Sequence, residues 1–270
     1  MELPIAPQSY STSPDTLVRA IIRADITLAR MAAQETQLEI ATIFTNPQRP
    51  LIHMCNFAAD VRMEAERTAE QALNEIDNHF ESIGCRCRML ISNEPQWPQP
   101  LAEAAAARKY QQQTADVCLL SNYTLPATLN DAVQVIPGRA AYKQLQAFRQ
   151  QAAMEQHGGD SSLAEAIAAM YIDHLDEARL EVFLGRIDGE AVGLVNLLTL
   201  GQIGVIEWMY TRQETRRRGV ARTLLTHAID HCHRAMFEQV ILKVPQDATA
   251  MRLYEELGFK PVATLMQFVR

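Results

Sequence analysis

The sequence predicts an α/β protein, sheet flanked by helices, arranged in two units. Helical stripes with apolar residues at three- and four-residue spacing alternate along the chain with short apolar or alternating runs of strand type. The 270 residues are enough for two domains of ordinary size. In the stretch 207–221 a strand-like run enters a basic loop with one glycine and continues as a helix.

In the first unit, Ser13-Pro14 reads as an N-cap followed by proline at the first helical position, and Leu17, Ile21, Leu28, Met31 and Ala32 continue a helical stripe to about residue 34. Extended segments are predicted at 38–44 and 51–57, separated by a turn holding Asn46-Pro47 and Pro50. A helix follows at 63–80 with Ala65, Ala69, Ala72, Leu73, Ile76 and Phe80 on one side. Cys85, Cys87, Met89 and Ile91 alternate with Arg86 and Arg88 as in a half-buried strand. A turn with Pro95, Pro98 and Pro100, an Ala-rich helix at 101–110 and a short strand at 116–120 complete this unit.

Residues 121–130 are polar and aperiodic and are the expected boundary, giving units 1–125 and 131–270. A strand at 132–137, helices at 140–154 and 163–178 around Gly158-Gly159, and a hairpin of 180–186 with 191–200 through Asp188-Gly189 are predicted next. The strand 203–211 enters the basic loop. The helix beyond it carries Val220, Leu224, Leu225, Ala228, Ile229 and Cys232 on its apolar face, and strands at 240–244 and 261–269 flank a last short helix.

A formal net charge of −7 argues against a general nucleic-acid or membrane binder. No apolar run is as long as a membrane span, and the first residues lack a secretory pattern. Five irregularly spaced cysteines are expected as reduced thiols in a cytoplasmic protein.

The basic loop carries the chemistry. The first N–H groups of a helix are unpaired and lie at its positive end, which suits a diphosphate if the chain can approach closely, and Gly219 has no Cβ to prevent that. Arg216-Arg217-Arg218-Gly219-Val220-Ala221 resembles the Arg/Gln-x-x-Gly-x-Gly/Ala pyrophosphate loop of the GNAT superfamily, the acetyl-CoA-dependent N-acetyltransferases. Ala250-Met251-Arg252-Leu253-Tyr254-Glu255-Glu256-Leu257-Gly258-Phe259 resembles the A-x-x-L-Y-x-x-x-G-F helix and turn of the same family, about forty residues on with a strand between. The resemblance implies the GNAT fold, a mixed twisted sheet flanked by helices, for 131–270. The order of strands and helices at 51–110 further suggests a degenerate copy in the first unit, so that two GNAT-like domains stand in tandem. There the corresponding loop, Ala58-Ala59-Asp60-Val61-Arg62, lacks glycine and brings an acid, so no CoA is expected on it.

The resemblance further implies acetyl-CoA as cosubstrate. Its diphosphate would lie on the amides of Arg218, Gly219, Val220, Ala221 and Arg222, with Arg216 and Arg217 in the same loop and Arg216 orienting it. The strand residues Met209, Tyr210 and Thr211 would run beside the pantetheine, and Ala250 begins the second motif. Asp247 stands where family members often carry an asparagine that holds the pantetheine, and it reads equally as a helix N-cap. Tyr254 matches the family's general acid, or is a core tyrosine. Glu207 is the candidate base, directly or through water, or a solvent-edge glutamate. Strand alternation puts Trp208 and Tyr210 on the side opposite Glu207 and Thr211.

No metal is expected. His227, His231 and His233 share the polar face of their helix and read as solvated, and Cys85-x-Cys87 has no second cysteine pair to complete a zinc site. Asp173-His174 falls in a region that borders the acceptor site in the family. The expected function is direct acetyl transfer to a primary amine of a small molecule or peptide, by a monomer or homodimer, since no cysteine stands at the reacting positions. The alternative is a CoA-binding regulatory protein without turnover. Residues 143–177, where the family shapes its acceptor cleft, hold no diagnostic motif.

Overall fold

The computed structural model describes residues 13–63, 66–92, 97–123, 126, 128–156, 159–246 and 248–270. Helix α1 (Pro14–Ala32) starts where the sequence places it: the Ser13 hydroxyl accepts the Thr16 N–H, and Leu17, Ile21 and Leu28 are buried. The two strands predicted at 38–44 and 51–57 are displaced. β1 (Gln34–Gln37) and β2 (Thr42–Thr45) form an antiparallel pair, β3 (Phe57–Ala59) joins β2, and residues 53–55 make a single 3₁₀ turn instead of strand. The reason is Asn56. This fully buried side chain accepts the Asn46 N–H at 3.0 Å and donates to the carbonyls of Arg49 (2.8 Å) and Ile52 (3.2 Å), so its hydrogen bonds close 46–56 into a loop.

α2 (Ala69–Ser82) begins six residues after the predicted start, because Thr68 and Gln71 form a reciprocal capping box there. β4 keeps only Met89–Ile91 of the predicted 85–91, although Cys85 and Cys87 are buried as the alternation implied. α3 is Gln99–Ala107, and β5 runs over Gln111–Leu120, five residues longer than its apolar pattern. Four of the five extra residues are polar, and all are held by a ten-position antiparallel register with the last strand of the chain.

The second half follows the expected order closely: β6 (Gln134–Pro137), α4 (Tyr142–Gln156), α5 (Ser161–Asp173), β7 (Leu180–Ile187), β8 (Glu190–Leu200), β9 (Ile203–Thr211), α6 (Val220–Arg234), β10 (Gln239–Pro245), α7 (Met251–Glu256) and β11 (Phe259–Val269). All these strands join one mixed sheet in the order β1-β2-β3-β4-β11-β5-β10-β9-β8-β7-β6. The seam is reciprocal. β11, from the second half, lies between β4 and β5 of the first, while β5 lies between β11 and β10. α1 packs across this shared region with α4 on the same core face, α2 and α3 build a second core in the first half, and α6 and α7 build a third.

Candidate functional site

Between β9 and β10 the sheet opens. The two strands pair in parallel only at 203–206 with 239–242, so the edge of β9 from Glu207 to Thr211 has no strand beside it on the β10 side. On its other side β9 carries an irregularity: Ile206 faces Leu197 and Met209 faces Val195, which leaves Glu207 and Trp208 opposite the single residue Asn196. That extra residue is a bulge, and it breaks the expected alternation. Glu207 and Trp208 line the same cavity instead of opposite faces, and Met209, Tyr210 and Thr211 all line the neighbouring cleft.

That cleft, about 780 Å³, sits at the N-terminus of α6. Arg216, Arg217, Gly219, Val220, Ala221 and Arg222 line it, together with Thr249, Ala250 and Leu253. Gly219 is the N-cap of α6 with φ 79°, in the left-handed region, and supplies no capping side chain. The first-turn N–H groups therefore face the cleft without an intrahelical acceptor. Arg217 also adopts positive φ, 59°. The loop is held from behind. Asn130 donates its side-chain amide to the Arg218 carbonyl at 2.7 Å and its backbone N–H to Thr223 Oγ1 at 3.3 Å. Arg216 Nε donates to the Thr211 carbonyl at 3.1 Å, and Arg222 and Arg252 both pair with Glu256. Arg218 does not line the cleft, and Asp247 lies outside the described residues.

Glu207 is enclosed by protein yet keeps surface on three cavities. Its carboxylate accepts from the Tyr171 hydroxyl at 3.2 and 3.3 Å and from the Asn196 amide at 3.2 Å. Burial raises its pKa above the ordinary carboxylate value; the Asn196 and Tyr171 hydrogen bonds and Lys243 oppose the rise, and Asp25 adds to it. Asn196 in turn accepts from Arg149 Nη2 at 2.8 Å. Arg149 is fully buried, its guanidinium 4.6 Å from the Tyr171 ring centre and 5.2 Å from that of Trp208, and burial lowers it to about 10. Lys243 on β10 and Asp25 on α1 form an ion pair at 2.7 Å. Neither Arg149 nor Tyr171 is marked by a sequence motif. Asn196, a lone amide within an apolar run, is the one signal that could have pointed to this network.

Tyr254 is not among the cleft-lining residues: it is buried against Phe259, and burial beside Cys118 pushes its phenol up to about 12. His227 and His231 differ from the expected solvated face, because both pack half-buried on the Phe183 ring. Asp173 pairs with Arg49 of the first half. The five cysteines are free and buried, and no cluster of metal-ligating side chains occurs among the described residues. Among the described residues no helix is long and apolar enough to cross a membrane.

Residues 145–259 match the sequence model of the Acetyltransferase (GNAT) family. This match supports a GNAT-superfamily assignment for the second half of the chain. The match supports N-acetyl transfer as the general class of activity. Among solved structures, a GCN5-related N-acetyltransferase from Kribbella flavida is 15% identical, with a TM-score of 0.63 over 94% of this chain and 95% of that one. A functionally unknown conserved protein from Staphylococcus epidermidis is 16% identical, with a TM-score of 0.63 over 89% of this chain and 94% of that one. The GNAT fold thus extends over nearly the whole chain, in keeping with tandem GNAT-like domains. No curated protein matches the sequence.

Proposed function

We propose that residues 131–270 transfer an acetyl group from acetyl-CoA to a primary amine, directly within a ternary complex, and that residues 1–125 form a GNAT-like unit without a CoA loop. The observation that carries this reading is the uncapped N-terminus of α6, opening with left-handed Gly219 into a cleft of about 780 Å³ beside the unpaired edge of β9. The amides of Gly219 to Arg222 suit the diphosphate. The backbone of Met209 to Thr211, with no strand beside it on the β10 side, suits the amides of an extended pantetheine arm, with the Thr211 carbonyl already taken by Arg216. When bound, acetyl-CoA supplies the activated acyl carbon.

In this reading Glu207 takes a proton from the amine. Its raised pKa brings it closer to that task at neutral pH, and the donors from Tyr171 and Asn196 fix its orientation. Tyr254 is the proposed acid for the departing thiolate, protonated at neutral pH by a wide margin. Replacing it as Tyr254→Phe should lower kcat about tenfold or more with the CoA dissociation constant unchanged. Unchanged kcat would assign that proton to another group. The reading as a whole is tested by isothermal titration of acetyl-CoA into the purified chain followed by release of CoA thiol in the presence of amines. Binding without release under any amine would favour a CoA-dependent regulatory protein.

A further inference from the structure

Resting on the acetyl-transfer reading, we propose that the acceptor seats in the apolar cavity against Glu207 and that it is a small primary amine carried on a hydrophobic alkyl or aryl body. This cavity, about 450 Å³, is of small-molecule size. It borders the cleft proposed for acetyl-CoA, since Gln156 at the end of α4 lines both. The polar cavity of about 590 Å³ on another side of Glu207 shares no lining residue with that cleft among the described residues.

The walls come from both halves of the chain. α5 contributes Leu163, Ile167 and Met170, the loop of the first half contributes Met54, and Trp208 stacks on Tyr171 with ring centres 5.3 Å apart. Contacts across the halves hold these walls together: Arg49 pairs with Asp173, and the Tyr171 hydroxyl lies 3.7 Å from Met54 Sδ. Among the described residues Glu207 is the single carboxylate on the lining, and His53 and Tyr171 are the other titratable side chains there. The nearby acids have their own cations, Asp173 with Arg49 and Asp25 with Lys243, while Arg149 reaches Glu207 through Asn196. A ligand with one ammonium finds its counter-charge here. A second ammonium, as on a polyamine or amino sugar, would be buried among Leu, Ile and Met without one.

The chemistry balances. The ammonium gives one proton to Glu207, and that proton passes to solvent through the polar cavity. The free nitrogen attacks the thioester carbonyl, a C–N bond forms, and the C–S bond breaks. The nitrogen loses a second proton, and the leaving thiolate gains one. The net change is ammonium and acetyl-CoA to amide, CoA thiol and one proton.

Steady-state acetylation of hexylamine and 2-phenylethylamine is compared with that of spermidine and a lysine-containing peptide. The hydrophobic pair should show kcat/KM about tenfold higher or more. Ile167→Asp, at a half-exposed position of α5, should erase that advantage while the CoA dissociation constant holds. Leu163→Gln repeats the test should that variant fold poorly. Spermidine or the peptide matching the hydrophobic amines would overturn the proposal and leave acetyl transfer standing. If CoA binds but no amine is acetylated, the transfer reading falls, and the cavity is then read by intrinsic tryptophan fluorescence. Saturable quenching by 2-phenylethylamine that Ile167→Asp abolishes would support a hydrophobic-amine site. Absence of quenching would overturn it.

Discussion

The chain contains two strand–helix–strand passages of the same parallel form, β3 to α2 to β4 and β9 to α6 to β10. They end their loops in opposite ways. At α2 the Thr68 hydroxyl takes the Gln71 N–H and the Gln71 side chain takes the Thr68 N–H, so the helix closes its own N-terminus. Two N–H groups ahead of it are taken as well, Val61 by the Ile91 carbonyl and Arg62 by the Ile40 carbonyl, both at 3.0 Å. At α6 a glycine at φ 79° stands in the capping position and no side chain closes the turn. The same passage is thus closed by side chains in one half and left uncapped beside a cleft in the other. Glycine at an N-cap costs a helix only about a few tenths of a kcal/mol relative to a capping side chain, so α6 stays uncapped at little expense where the cleft lies.

The sharpest way to break this comparison is Gly219→Glu, which puts bulk, charge and an unfavourable left-handed conformation into the open turn. Acetyl-CoA affinity measured by titration calorimetry should fall by about a hundredfold or more, roughly 3 kcal/mol. Retained affinity would mean that the diphosphate lies elsewhere. Next in size, Glu207→Gln should reduce kcat/KM by about two orders of magnitude with CoA binding intact.

The same variant carries a pH signature. Because the folded protein raises the Glu207 pKa, the working carboxylate is lost as pH falls through a value above the ordinary carboxylate range, and the acid limb of kcat/KM should lie there and vanish in Glu207→Gln. The sign for stability is the reverse of the usual acid. A proton held more tightly in the folded state means that ionisation costs stability as pH rises from the unfolded pKa through the folded one, so Glu207→Gln should gain relative to wild type across that window in denaturant melts. A wild type and variant with parallel pH profiles would sink both statements. Smallest is Thr68→Ala, expected to cost about 1 kcal/mol of stability in chemical denaturation and to leave acetyl-CoA affinity unchanged. A change in affinity would show that the closed turn of α2 communicates with the open one.

Much of the second half was legible because its strands and helices are long and their apolar patterns strong: β9 lies at the predicted 203–211, and β7 and β8 meet through Asp188-Gly189 as the turn chemistry requires. The first half was harder to read. The polar start of β5 looks like loop in isolation and becomes strand because β11, far away in sequence, offers it a ladder. The placement of Trp208 beside Glu207 was not legible either, since a period of two cannot announce a bulge. Nor was Asn130, a residue of the polar connector that braces the glycine loop from behind.

The sequence by itself determined the chemistry at the mouth of α6: one glycine after three arginines, preceded by a strand and followed by an amphipathic helix, is a local pattern whose consequences follow from backbone geometry. Tertiary structure alone decided what surrounds Glu207. Tyr171, Asn196, Arg149 and Met54 come from four separate segments, and they meet because the shared sheet and the crossing of α1 bring both halves against one carboxylate. Contacts of that kind carry no spacing in the chain, only a position in the packed core, so they exist for the reader only once the chain has folded.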